Sequence, residues 1–175
     1  IIGARMNHSN YPLLSIVVPV YREESNIHPF LQRTEKVITK IGCPYEILFC
    51  LDPSPDNTEQ VILNEIKKNE NIRLIKFSRR FGQPAATMAG IHLCKGDTCV
   101  VIDVDLQDQP ELIEPMLEKW REGYKVVYAK RRTRKGETIF KRVISYLGYI
   151  IINKISDVAI PANVGDFRLM DRRVI

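Results

Sequence analysis

The chain has 175 residues, 45% of them hydrophobic and 27% charged, enough for one globular domain with a sizeable core and too few for two well-buried ones. Its formal charge of +5, from 26 basic and 21 acidic residues, is concentrated in patches at 77–80 and 130–142. Such patches suit nucleic acid, an anionic membrane surface or a phosphorylated small substrate, and charge alone does not choose among them. No run of about 18 apolar residues is present, and residues 1–12 read as a tail without the apolar core of a signal peptide, so the expectation is a chain on the cytosolic side, soluble or lying on a membrane.

Residues 13–20, "LLSIVVPV", form a continuous apolar, β-branched run stopped near a proline, the pattern of a strand buried on both faces. Apolar positions at helical spacing follow over 27–41. The cycle repeats with strands at 45–51, 72–78, 98–103 and 125–130, and helices at 57–69, 84–94 and 110–121. Five strands alternating with helices predict an α/β fold: an open, mostly parallel, Rossmann-like sheet with helices on both faces. The segment 136–157 is long and largely apolar with a basic start, and is expected to pack on the sheet or to lie at a membrane interface. Cys43, Cys50, Cys94 and Cys99 form no C-x-x-C pair and are expected as buried reduced thiols.

In such sheets ligands bind beyond the carboxyl ends of the strands. There the fourth strand runs into "DVDLQD", with Asp103, Asp105 and Asp108 in succession. Carboxylates at i and i+2 supply hard oxygen ligands that suit Mg²⁺ or Mn²⁺ shared with a diphosphate, so Asp103 and Asp105 are a candidate metal site. Asp108, just ahead of Pro110, is expected to cap the following helix. After the second strand, Asp52 is a candidate acceptor for a base or ribose, whereas Asp56 and Asn57 are expected to cap a helix. Arg79 and Arg80 follow the third strand, and Arg131 and Arg132 the fifth, as natural diphosphate contacts. Two basic and two acidic loops thus share one edge, which a nucleoside diphosphate with its metal satisfies. No Ser-His-Asp or Cys-His arrangement stands out, and neither a P-loop nor G-x-G-x-x-G is present.

The segments "SIVVPVYREESNI", "EILFCLDPSPDNT", "FSRRFGQPAATMAGI", "VVIDVDLQDQPELI", "VVYAKRRTRKGE" and "GDFRLMDRRV" occur in an order that resembles the family 2 inverting glycosyltransferases of GT-A fold. Within them the likeness is to the polyprenyl-phosphate group, the bactoprenol glucosyltransferases and dolichol-phosphate mannose synthases, over residues 13–175. The resemblance implies a GT-A catalytic domain over 13–175 that binds a nucleotide sugar, UDP-glucose first, through Pro19, Tyr21, Glu23, Asp52, Arg79 and Arg168. It implies a metal on Asp103, Asp105 and Gln107, a phosphate contact at Arg131, an acceptor-phosphate contact at Lys141 or Arg142, and Asp166 as candidate base or acceptor-orienting group. Asp52 matches the second aspartate of an element that here reads Leu51-Asp52-Pro53-Ser54, without the family's first aspartate or glycine. The acceptor implied is a polyprenyl phosphate at the cytoplasmic face of a membrane, with membrane-embedded parts of the family lying outside this chain, no nucleic-acid partner, and a homo-oligomer as one possible state.

Overall fold

A computed structural model describes residues 12–130 and 164–175. Residues 12–127 and Asp166–Ile175 belong to one compact unit, and Tyr128–Gly165 to a second. Six strands, β1 (Leu14–Val20), β2 (Tyr45–Leu51), β3 (Ile72–Lys76), β4 (Thr98–Val101), β5 (Val126–Lys130) and β6 (Val164–Asp171), form a sheet of order β3-β2-β1-β4-β6-β5. Its helices are α1 (Ile27–Ile41), α2 (Thr58–Ile66), α3 (Gln83–Leu93) and α4 (Ile113–Arg121), the last preceded by a 3-10 turn at Pro110–Leu112.

All seven residues of β1 are buried, which is why its sequence is apolar without alternation. It pairs in parallel with β2 on one side and β4 on the other. One face, with Phe49, is covered by α1, whose Phe30 ring meets Phe49 edge-on at 6.3 Å between centroids. The opposite face, with Val17, Leu48 and Cys50, is covered by α3 through Ala86 and Ile91. Helix α1 ends on Gly42, which adopts φ 71° so that its N–H reaches the Ile38 carbonyl.

The sequence reading located β1, α1, β2, α2, β3, α3, β4, α4 and β5 to within a few residues. It missed β6. Residues 164–171 carry Gly165, charges and alternating apolar positions; they run antiparallel to β4, with Val101 opposite Arg168 and Thr98 opposite Asp171. The sheet is therefore mixed at this side, although β1 to β4 keep the parallel arrangement. The end of β6 is fixed by Asp171, whose carboxylate accepts from Arg173 Nε (3.0 Å), the Arg173 amide (2.9 Å) and Trp120 Nε1 (2.7 Å). Arg173, seconded by the indole, holds that carboxyl well below the usual range. Asp108 is buried, ahead of a 3-10 turn whose N-cap residue, Gln109, makes no side-chain capping bond of its own. The segment 136–157 lies outside the described residues. The four cysteines are buried and free, and burial pushes the Cys50 thiol up to about 12.

Helix α3 lies unusually close to the sheet. A Cβ on Gly90 would sit 2.3 Å from Val17 Cγ1 and 2.7 Å from Cys50 Sγ, so only glycine permits the approach. At its carboxyl end, Glu46 is 7% exposed and accepts from Ser15 Oγ (2.6 Å), the Lys95 amide (2.6 Å) and Arg73 Nη1 (2.7 Å). Burial pushes the Glu46 carboxyl up, but these donors outweigh it and leave its pKa below the ordinary 4.5.

Gly90→Ala is expected to lower stability by about 1–3 kcal/mol through overpacking, against the ~1 kcal/mol an alanine otherwise gains over glycine in a helix. Urea unfolding measures it; a stabilised variant contradicts the close approach. Because Glu46 has a lower pKa folded than unfolded, its stabilisation is complete above the unfolded value and is lost as pH falls through the folded one. Glu46→Gln should therefore be less stable than wild type near pH 7 and converge with it below about pH 4, read as urea midpoints across that range.

Candidate functional site

Strands β1, β2 and β3 end in register at one edge, β4 ends opposite Val17, and a cleft of about 290 Å³ opens beyond them. It is lined by Pro19 and Val20 at the end of β1, Tyr21 and Glu23 after it, Asp52 after β2, Arg80 and Gly82 ahead of α3, Gln83 and Ala86 in its first turn, and Asp103, Val104 and Asp105 after β4. Every one belongs to the first compact unit. Strands β1 and β4 carry no charged residue, and charged side chains follow where the chain leaves them.

Asp103 is half-buried and accepts from Gln83 Nε2 at 2.9 Å. Asp105 is exposed, and its Oδ1 accepts from the Gln107 amide at 3.0 Å, closing a turn in which Leu106 takes φ 63°. A non-glycine residue in that region is strained, and the strain accompanies a bend that keeps both aspartates on the cleft rim. The donors are two carboxylates; among the described residues no group of three or more His, Cys, Asp or Glu side chains gathers to hold a metal unaided. Such a pair matches Mg²⁺ or Mn²⁺, which take one or two protein carboxylates and complete their shell with water and substrate phosphate.

Tyr21 carries the opposite sign into the cleft. The Arg80 guanidinium lies 4.1 Å from the centre of its ring and that of Arg22 5.2 Å from it. Arg22 adopts φ 60°, with its amide donating to Ser54 Oγ at 2.8 Å. Both arginines after β3 are expected at this edge from the sequence; Arg80 lines the cleft, whereas Arg79 packs over Phe81 at 4.8 Å and is not part of the lining. The sequence "SRR" offers two adjacent guanidinium groups, and only the position of the Tyr21 ring distinguishes them. Gln83 was missed for a similar reason: nothing local marks the first residue of α3 as a partner of Asp103.

Asp52 lies on the cleft wall at 3% exposure. Its Oδ1 accepts from the Phe81 amide (3.1 Å) and its Oδ2 from the Gly82 amide (2.8 Å). Asp56 accepts from Ser54 Oγ (2.6 Å) and from Thr58 Oγ1 (2.8 Å) and N (3.3 Å), and so serves the start of α2, as expected. The Gln107 side chain is exposed and outside the lining; only its amide meets Asp105. Asp166 and Arg168 also lie outside the lining, but the antiparallel register with β4 carries the start of β6 to the same edge as Asp103. Arg168 Nε is buried with no hydrogen-bond partner among the described residues. Arg131, Lys141 and Arg142 lie outside the described residues.

The family model for glycosyl transferase family 2 matches residues 15–175. The chain belongs to that family. Among curated relatives, an uncharacterized glycosyltransferase of Synechocystis sp. is 43% identical over 162 residues, covering 93% of this chain and 51% of that protein. The bactoprenol glucosyl transferase of Shigella phage SfV is 40% identical over 164 residues, covering 93% and 53%. This chain thus spans about half the length of the curated relatives it matches. Glucosyl-3-phosphoglycerate synthase from Mycobacterium tuberculosis, solved with Mn²⁺, UDP and phosphoglyceric acid, superposes with TM-score 0.67 at 18% identity, over 93% of this chain and 57% of that one. A mannosyltransferase from Pyrobaculum calidifontis, solved with GDP-Man and Mn²⁺, superposes with TM-score 0.62 at 14% identity, over 96% and 47%. At these identities the likeness establishes the fold, the GT-A architecture of the family 2 enzymes.

Proposed function

We propose that the protein transfers a hexose, glucose from UDP-glucose, onto the phosphate of a polyprenyl phosphate at the cytoplasmic face of a membrane, inverting the anomeric centre. The observation that carries this reading is the cleft itself, in which Asp103 and Asp105 face Arg80 across one strand edge of a family 2 chain. The choice of sugar and acceptor is supported by 40% identity to bactoprenol glucosyl transferases over 93% of the chain.

The chemistry asks little of a general base. An oxygen of the acceptor phosphate, already anionic at neutral pH, forms the new bond to the anomeric carbon as the bond to the nucleoside diphosphate breaks, and the electron pair leaves with the diphosphate. The larger demand is to stabilise that departing charge. Asp103 and Asp105 would hold a divalent cation, which when bound neutralises diphosphate oxygens and acts as a Lewis acid toward the leaving group. Arg80, braced on the Tyr21 ring, supplies a fixed cation on the same cleft, where a guanidinium matches phosphate geometry. Pro19, Tyr21 and Glu23 line the side available to the nucleoside. Asp166 and Arg168, at the neighbouring edge, are assigned to the acceptor phosphate, Asp166 orienting rather than deprotonating it. Arg131 is assigned a phosphate contact on the resemblance alone.

Calorimetric titration of the full-length protein with UDP, UDP-glucose and GDP, each with and without Mn²⁺, tests the donor. Metal-dependent binding of the uridine ligands is the expected result; preferential GDP binding moves the reading to a mannosyl donor. Asp105→Ala should leave the melting temperature within a few degrees and cut glucosyl transfer on the order of 100-fold or more. Full turnover in that variant removes the metal site from the cleft rim.

A further inference from the structure

Asp52 lies where a nucleobase contact is expected, yet its geometry serves another purpose. Each of its oxygens already accepts a backbone N–H, from Phe81 at 3.1 Å and Gly82 at 2.8 Å, and only 3% of the residue meets solvent. A carboxylate so engaged has little surface left to offer a base. The two amides belong to the short stretch that links β3 to α3, and Gly82 is the residue from which that helix starts. Gly82 adopts φ 87°, ψ 163°, a conformation essentially restricted to glycine. Its amide and that of Phe81 point together at one acceptor, with the helix amino terminus behind them, an arrangement that favours negative charge.

The residue just before this pair is Arg80. Once the Phe81 and Gly82 amides are fixed, the backbone leaving Arg80 is fixed with them, and its guanidinium is delivered over Tyr21 at 4.1 Å. The residue just after the pair is Gln83, whose Nε2 reaches Asp103 at 2.9 Å. One buried carboxylate thus sets both the cleft's cation and the partner of its first aspartate.

We infer that Asp52 is a positioning residue, which anchors the 80–83 turn so that Arg80 meets the diphosphate, and does not choose the base. The role of Arg80 in that statement rests on the proposed function; the anchoring of the turn does not. The consequence is that Asp52 contributes equally to every nucleoside diphosphate.

Asp52→Asn keeps the shape but replaces one acceptor oxygen with an NH₂ facing an N–H. In the full-length protein the expected result is weaker binding of UDP and GDP by the same factor, on the order of tenfold. Adding Asp52→Asn to Arg80→Gln should cause little further loss, because the first acts through the second. A loss confined to the uridine ligand, or additive losses, overturns the inference. Limited trypsin digestion supplies a readout independent of any ligand: cleavage after Arg79 or Arg80, mapped by mass spectrometry, should accelerate in Asp52→Asn at unchanged melting temperature. If wild type binds no nucleotide, the proposed function fails and the tryptic cut alone decides the anchoring. If Asp52→Asn does not fold, Gly82→Ala takes its place. An added Cβ there has room, with Pro84 Cδ nearest at 3.9 Å, so the substitution disturbs only the backbone conformation. The same accelerated cut is expected, and an unchanged rate overturns the anchoring.

Discussion

Strand β2 holds helix α3 at three points, and the cleft depends on that attachment. Glu46, near the start of the strand, accepts from the Lys95 amide just past the helix carboxyl end. Asp52, just past the end of the strand, accepts from the Gly82 amide at the helix amino end. Between them the absent side chain of Gly90 lets the helix descend onto Cys50 and Val17. The lengths agree: six steps of strand from 46 to 52 at about 3.3 Å each span about 20 Å, and the eleven residues of α3 at about 1.5 Å each span about 16 Å, with Gly82 and the extended Cys94 supplying the rest. A carboxylate at each end of β2 therefore meets an amide at each end of α3 without stretching either element.

This attachment gives two acidic residues on one strand opposite relations to function. Glu46 lies at the amino edge of the sheet, where Ser15, Arg73 and Lys95 satisfy it entirely from within the chain. Asp52 lies at the carboxyl edge, where its partners are backbone amides of a turn that lines the cleft. Charge at the amino edge is consumed by the fold. At the carboxyl edge it is organised, with Asp103 and Asp105 on one side and Arg80 on the other, and the interaction that completes it is left to a ligand of mixed sign.

Most of the parallel sheet was legible because burial on both faces leaves β1, β2 and β4 apolar apart from Ser15, Glu46 and Thr98 near their starts, so apolar runs announce them. The same exclusion made the strand ends readable: where "VVID" meets "VD", an abrupt return of charge marks the ligand edge. Strand β6 was not legible. It lies beside β4 with Asp166, Arg168 and Asp171 inside its own span, charges that break any apolar run, and Asp171 is met by Trp120, 51 residues away in the chain. Which of Arg79 and Arg80 enters the cleft was hidden for a related reason. Adjacent residues leave a turn in different directions, and the direction here is set by Asp52, 27 and 28 residues earlier in the chain.

The departure of "LDPS" from the family's usual acidic element acquires a physical sense in this light. The family pattern places two successive carboxylates after the second strand; here the first is Leu51, buried as the last residue of β2, and the surviving Asp52 is committed to the turn. A leucine at that place extends the apolar strand by one residue. With one carboxylate holding the turn and none beside it, the neighbouring wall of the cleft is formed by Pro19, Val20, Tyr21 and Glu23, which are apolar or aromatic apart from the glutamate. The altered element is then compatible with a working nucleotide site, because what it must preserve is the position of Arg80 and not a hydrogen bond to the base.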